Sequence, residues 1–222
     1  ASPFSYIQHE ERIQVLKNNI KKANAPLIYV NQIGAHTDII FDGRSLVLNK
    51  NGDIVKELAK FAEDFQYVDF ENSDFAGKGS TTNDTEIALI HQALILGLRD
   101  YFSKSGFKKA VLGLSGGIDS AIVAALAIEA LGAKNVLAVL MPSIYSSDHS
   151  IKDALDLVTN TGCEHLILPI KDIASSFENT LSEAFAGLQA NLTEENIQAR
   201  TRGTLLMAIS NKFGHILLNT SN

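Results

Sequence analysis

The stretch that most restricts the fold of this chain runs from Ala110 to Leu131. Ala110-Val111-Leu112-Gly113-Leu114 carries no polar side chain and passes through Ser115-Gly116-Gly117 into a run with helical character from about Asp119. A strand that is apolar at every position has to be buried on both faces, which places it in a parallel sheet covered by helices. The rhythm continues downstream. Strands are expected at Val136 to Met141, Leu166 to Leu168 and His215 to Asn219, with helices through Ile151, Ala154, Leu155 and Val158 and from Glu194 to Phe213. A helix through Ile90, Leu94, Gly97 and Tyr101 leads into the series. This alternation predicts βα units and a doubly wound α/β parallel sheet.

The preceding residues are organised differently. Ile13, Leu16, Ile20 and Ala23 have helical spacing, and Pro26 separates them from the strand-like Leu27-Ile28-Tyr29-Val30. Short strands are expected at Ile39 to Phe41, Ser45 to Leu48 and Ile54-Val55, with turns at Asp42-Gly43 and Asn49 to Gly52. Residues 71–84 are small and polar without periodicity and read as a linker between a domain at 1–70 and one at 85–222. Within that linker Gly77-Lys78-Gly79-Ser80-Thr81 lacks both a preceding strand and the spacing of a phosphate loop.

Charge narrows the partners. With 19 Lys plus Arg against 25 Asp plus Glu, the formal charge is 19 − 25 = −6, which argues against broad nucleic-acid affinity. The longest apolar run, Ile87 to Leu98, is broken by His91, Gln92 and Gly97 and falls short of the roughly 20 residues a membrane span needs. The single cysteine, Cys163, cannot form an internal disulfide, and the first residues lack the basic and apolar segments of a secretory leader. A soluble, cytoplasmic protein is the expectation. The six histidines show no metal-ligand spacing.

Ser115 to Ser120 carries the chemistry. Glycines after a buried strand let backbone N–H groups approach an anion, and the first turn of the following helix presents unpaired N–H groups with partial positive charge. Ser115 and Ser120 can add hydroxyls. Asp119 would repel phosphates unless a cation sat between, so it suggests Mg²⁺ shared with phosphate oxygens. A tight turn with Asp119 or Ser120 as helix cap is the bland alternative.

The full string Gly113-Leu114-Ser115-Gly116-Gly117-Ile118-Asp119-Ser120 resembles the signature of the N-type ATP pyrophosphatases, which cleave ATP between its α and β phosphates. Among these, Ala138 to Ser143 followed by Tyr145-Ser146-Ser147, then Glu195-Asn196-Ile197-Gln198-Ala199-Arg200-Thr201-Arg202-Gly203, and then Gly214 to Asn222 look like successive signatures of NAD synthetases. The resemblance implies an adenine nucleotide hydrolase-like sheet over 85–222. It also implies ATP contacts at Gly113 to Ser120, Leu140, Met141 and Thr220, deamido-NAD contacts at Asn196 and Arg200, and Mg²⁺ on Asp119. Leu140 and Met141 serve equally well as ordinary core residues, and that choice stays open. On the third signature Thr193 is the expected N-cap, and Asn196 and Arg200 fall four apart on one helix face, which suits a substrate or a solvated surface alike.

Ala1 to Phe4, Tyr29 to Gly34 and Ile40 to Ser45 resemble the carboxy-terminal part of a nitrilase-like αββα glutaminase domain, which precedes the synthetase in glutamine-dependent NAD synthetases. The Cys, Glu and Lys of such a glutaminase site are not matched here, and the family continues past Asn222, so the chain is expected to be a piece of a longer protein. The implied function is ATP-dependent amidation of deamido-NAD through an adenylated intermediate. Ammonia would come from glutamine, in a homo-oligomer, without nucleic-acid or membrane partners. The rivals are another ATP pyrophosphatase-type amidotransferase and a non-catalytic nucleotide-binding module. No residue has to act as a general base.

Overall fold

The computed structural model describes residues 2–79, 84–144 and 146–220. Two compact units divide the chain, Ala1–Tyr101 and Phe102–Asn222.

The first unit opens with α1 (Gln8–Ala23), whose buried face is Arg12, Ile13, Leu16 and Ile20. Glu10 and Glu11 sit in its first turn and Lys21 and Lys22 in its last, matching the helix dipole, and Asn24 ends it in the left-handed region. Ile13, Leu16 and Ile20 pack on Leu46 and Leu48 of an antiparallel sheet in the order β1 (Leu27–Tyr29), β4 (Leu46–Leu48), β5 (Ile54–Glu57). A hairpin of β2 (Ile33–His36) and β3 (Ile39–Asp42) lies between β1 and β4 in sequence. β2 escaped the sequence reading because Gly34 and Ala35 supply no strand-forming side chains.

A buried polar cluster ties α1 to this unit. Arg12 pairs with Asp42 at 3.3 Å, and Asn31 Nδ2 donates to the same carboxylate at 3.0 Å. Arg44 pairs with Glu57. His9 stands among these cations with its pKa pushed down to about 3, first by burial and then by Arg44, Arg12 and Lys60. It is therefore neutral at neutral pH, and its 3.7 Å approach to Glu57 is not an ion pair there.

Residues read as linker contain a miniature hairpin, β6 (Phe70–Glu71) and β7 (Asp74–Phe75). Asn72 and Ser73 make its turn with φ of 50° and 64°, the pair of positive values a two-residue type I′ turn requires. Two-residue strands are too short to show a period, so sequence pattern missed them. Residues 80–83 lie outside the described residues. The division between units falls inside α2 (Glu86–Ser105).

The second unit is an α/β sheet. Its elements are β8 (Ala110–Gly113), α3 (Ile118–Leu131), a 3-10 turn at Ala133–Asn135, β9 (Val136–Leu140), α4 (Asp148–Thr161), β10 (Glu164–Ile167), α5 (Lys171–Leu181), α6 (Leu192–Phe213) and β11 (Ile216–Leu218). The strands are all parallel in the order β10-β9-β8-β11. The chain thus builds outward from β8 and then returns to its opposite edge, so the order reverses at β8. In open α/β sheets ligands bind at the carboxyl end of that strand.

Strand alternation sends side chains to two cores. Leu112, Leu114, Val136, Ala138 and Leu140 pack with Ala124, Ala127, Ala154 and Val158 of α3 and α4. Val111, Leu137, Val139 and Met141 face Leu205, Leu206 and Ile209 of α6. Each fully buried Val or Leu contributes about 1.5–3 kcal/mol, and this two-sided burial explains the unbroken apolar strands. Cys163, 7 % exposed, fills the first of these cores.

Two local expectations change. The N-cap of α6 is Asn191, not Thr193: Asn191 Oδ1 accepts from Thr193 N, and Glu194 returns to Asn191 N at 2.8 Å in a capping box. The Asn side chain reaches the free N–H groups two residues earlier than expected. α5 was not anticipated, although Ile173, Phe177 and Leu181 recur every four residues. Among the described residues no helix is long and apolar enough to cross a membrane.

Candidate nucleotide-binding site

β8 delivers the loop. Leu114 N still donates to Val139 O at 2.9 Å, which holds the strand end against β9 before the chain turns. Gly116 then adopts φ +85°, and its backbone lies so close to α4 that an added Cβ would stand 2.1 Å from Ser150 O. Glycine is required there on both counts.

Two hydroxyls shape the turn from within. Ser120 Oγ donates to Gly117 O at 2.9 Å and accepts from Ser115 N at 3.2 Å, while Gly117 N donates to Ser115 Oγ at 3.2 Å. The hydroxyls of Ser115 and Ser120 also stand 3.1 Å apart. Both bond inside the loop in this structure, so they preorganise it. Gly117 begins α3 without any side-chain cap. The first N–H groups of α3 therefore meet no side-chain acceptor at that cap and carry the partial positive charge of the helix end.

Asp119 lies in that first turn, exposed. Among the described residues no group of three His, Cys, Asp or Glu could cage a metal. One exposed carboxylate next to a helix end without a side-chain cap suits Mg²⁺, which commonly takes one or two carboxylates and fills its octahedron with phosphate oxygens and water.

Beside the loop is a cavity of about 190 Å³. It is lined by Gly113 of β8 with Leu114 and Ser115 just beyond it, by Leu140 of β9 with Met141 just beyond it, and by Ser150 and Ile151 of α4. Arg202 and Leu206 close it from α6. Leu140 and Met141 are 3 % and 8 % exposed and belong to opposite cores, so their core role is evident; they also wall this cavity. A wider hollow of about 410 Å³ borders Gly116, Gly117 and Ile118 together with Asp153, Asp156 and Asn160 of α4. A larger hollow of about 690 Å³ lies in the first unit around Tyr29, Arg44 and Phe65, apart from any phosphate-loop chemistry.

The remaining candidates do not line the 190 Å³ cavity. Asn196 and Arg200 lie on the exposed face of α6, where Arg200 Nη1 donates to Asn196 O at 3.3 Å. Thr220, half-buried, follows β11. Tyr145, Ser221 and Asn222 lie outside the described residues.

Arg202 is the residue sequence reasoning passed over. It is half-buried, its Nε donates to Met141 O at 3.2 Å, and burial lowers its pKa. Leu206 and Ile209 lie four and seven residues beyond it on the helix face packed against the sheet, a periodicity that could have placed Arg202 inward.

Residues 90–222 match the family model described as NAD synthase. Over its whole length the chain is 48% identical to a glutamine-dependent NAD(+) synthetase of Synechocystis sp., covering 40% of that protein. It is 42% identical to the enzyme of that name from Acinetobacter baylyi, covering 41% of it. The solved structure of glutamine-dependent NAD+ synthetase from Acinetobacter baumannii in complex with adenosine diphosphate superposes with a TM-score of 0.94 at 42% identity, over 100% of this chain and 43% of that one. The chain therefore spans about two fifths of the length of these relatives.

Proposed function

The chain belongs to the NAD synthase family, and from that premise we propose that it carries the ATP-handling part of an enzyme that amidates deamido-NAD. Residues 85–222 form the synthetase portion, 1–70 the end of a nitrilase-like glutaminase domain and 71–84 their connection. The observation that carries this reading is the α3 N-terminus without a side-chain cap behind Gly116-Gly117, at the strand where the sheet order reverses.

In the proposed reaction the nicotinate carboxylate attacks the α phosphate of ATP. The bond to the β phosphate breaks, and pyrophosphate departs onto Gly113 to Ser120. Ammonia then attacks the acyl-adenylate, AMP leaves, and one proton is released. The loop N–H groups donate to the oxygens on which charge builds as pyrophosphate leaves, and Asn196 and Arg200 hold the acid, so catalysis is orientation plus electrostatics. Leu140, Met141 and Thr220 complete the ATP site. Asp119 would hold Mg²⁺, which supplies charge neutralisation on the phosphates. The identity of the relatives favours deamido-NAD over the acid of another ATP pyrophosphatase. A homo-oligomer in the cytoplasm using glutamine-derived ammonia is part of the same proposal. Binding of ATP to this chain by calorimetry, and pyrophosphate release with deamido-NAD in the full-length protein, test the reading; no ATP binding would overturn it.

Arg200→Ala in the full-length protein should raise KM for deamido-NAD roughly tenfold to a hundredfold, the worth of a charge-assisted hydrogen bond, with KM for ATP little changed. Equal shifts in both constants would remove Arg200 from the acid site.

The 222-residue chain alone should release no glutamate from glutamine. Its one thiol, Cys163, is buried in an apolar core, where no substrate reaches it. Glutamate production abolished by Cys163→Ser would refute this.

A further inference from the structure

We infer that His9 is an acid-sensitive latch in the first unit: its uncharged ring lets α1 lie on the sheet, and uptake of a proton drives the amino-terminal part of α1 off it.

His9 is the second residue of α1, in the turn whose free N–H groups make the helix end positive. Its side chain is 12 % exposed, and Nδ1 and Nε2 are both buried without a hydrogen-bond partner. An imidazolium in that position would bring a second N–H with no acceptor to receive it. Arg12 lies one turn on along the same side of α1. Arg44, just before β4, and Lys60, shortly after β5, add two further cations.

The carboxylates of this cluster are already committed. Asp42 of β3 binds Arg12 and Asn31, Glu57 of β5 binds Arg44, and Asp84 binds Lys60. Glu57 comes nearest to the ring, 3.7 Å from Nε2, with its charge matched by Arg44. Tyr29 of β1 presents its ring to Arg12, 5.4 Å from the guanidinium carbon. Glu10 and Glu11, in the same turn of α1, are exposed, so water screens them. A proton on His9 thus adds a fourth cation beside Arg12, Arg44 and Lys60, and burial with these three cations holds the ring's pKa down at about 3. Lifting the start of α1 returns the ring to water. That movement is the easy one, because Ile7 begins the helix without a side-chain cap.

The opened helix restores His9 to its ordinary pKa of 6.5, so the opened form takes a proton below that value while the closed form stays neutral until about pH 3. Closure therefore weakens as the pH falls through this window and is unaffected above it. For one proton the opening equilibrium rises about tenfold from about pH 7.5 to about pH 5.5, an interval that stops above the ordinary carboxylate range.

Hydrogen–deuterium exchange of α1 in the full-length protein, corrected for the intrinsic pH dependence of exchange, reads this opening. Protection should fall about tenfold between the two pH values in wild type and less than twofold in His9→Leu and His9→Gln, which carry no titrating ring. His215, whose pKa burial also lowers, is unchanged in both variants, so its contribution cancels. The ratio between the two pH values is the readout, so a variant whose helix is loosened at both still reports, and the glutamine variant serves if the leucine variant fails to fold. Wild-type protection that stays level would overturn the latch. So would a tenfold fall that persists in either variant, which would place the proton on another group.

Discussion

Gly116→Ala should abolish nucleotide binding, with affinity for ATP falling at least a hundredfold. The new methyl group would lie 2.1 Å from Ser150 O and 2.7 Å from Ser150 C, distances no Cβ tolerates, and both atoms are backbone. An alanine at φ +85° adds about 1–3 kcal/mol of strain. Relief requires moving either the loop or the first turn of α4, where Ser147 caps Ser150 N at 3.2 Å. Each movement disturbs the hydroxyl bonds by which Ser115 and Ser120 shape the turn. Calorimetric titration with ATP, alongside a thermal melt showing a folded protein, checks the expectation. Wild-type affinity in a folded Gly116→Ala chain would show that the close approach to α4 is dispensable.

The second large effect is electrostatic. Asp119→Ala in the full-length protein should lower the rate of pyrophosphate formation at least a hundredfold with Mg²⁺ present, because several kcal/mol of charge stabilisation are lost with the metal ligand. Without Mg²⁺ the sign reverses. A carboxylate in the first turn of α3 repels an anion at the same helix end, so the variant should bind metal-free ATP at least as tightly as wild type. Measuring both conditions separates a metal role from simple loop damage, since damage would weaken binding in each. Full activity in the variant with Mg²⁺ would end the metal assignment.

Much of this site was legible in the sequence because the physics that forms it is local. A run of five apolar residues demands burial on both faces, a Gly-Gly pair releases the backbone, and an acid within the following turn stays near the helix end whatever the rest of the chain does. Glu194, three residues past Asn191, is equally local, yet Thr193 also qualifies by type as a cap two residues later, and residue type alone does not choose between them. Helix and strand boundaries of this kind shift by a residue or two for the same reason.

Other features depend on contacts between residues far apart in the chain. β11, last in sequence, pairs with β8, and that pairing makes β8 the point of reversal where the loop opens. Helical spacing alone put Asn196 and Arg200 together, while Arg202 earned its place by packing across 61 residues onto Met141 O. The need for glycine at 116 likewise arises from α4, thirty-odd residues on, arriving against its backbone. Sequence by itself determined which backbone segments could form strands, helices and the glycine turn at Gly116-Gly117, since those follow from burial and turn chemistry within a few residues. The tertiary structure decided which side chains wall the cavity, because side chains distant in sequence meet only after the sheet order and helix packing have been set.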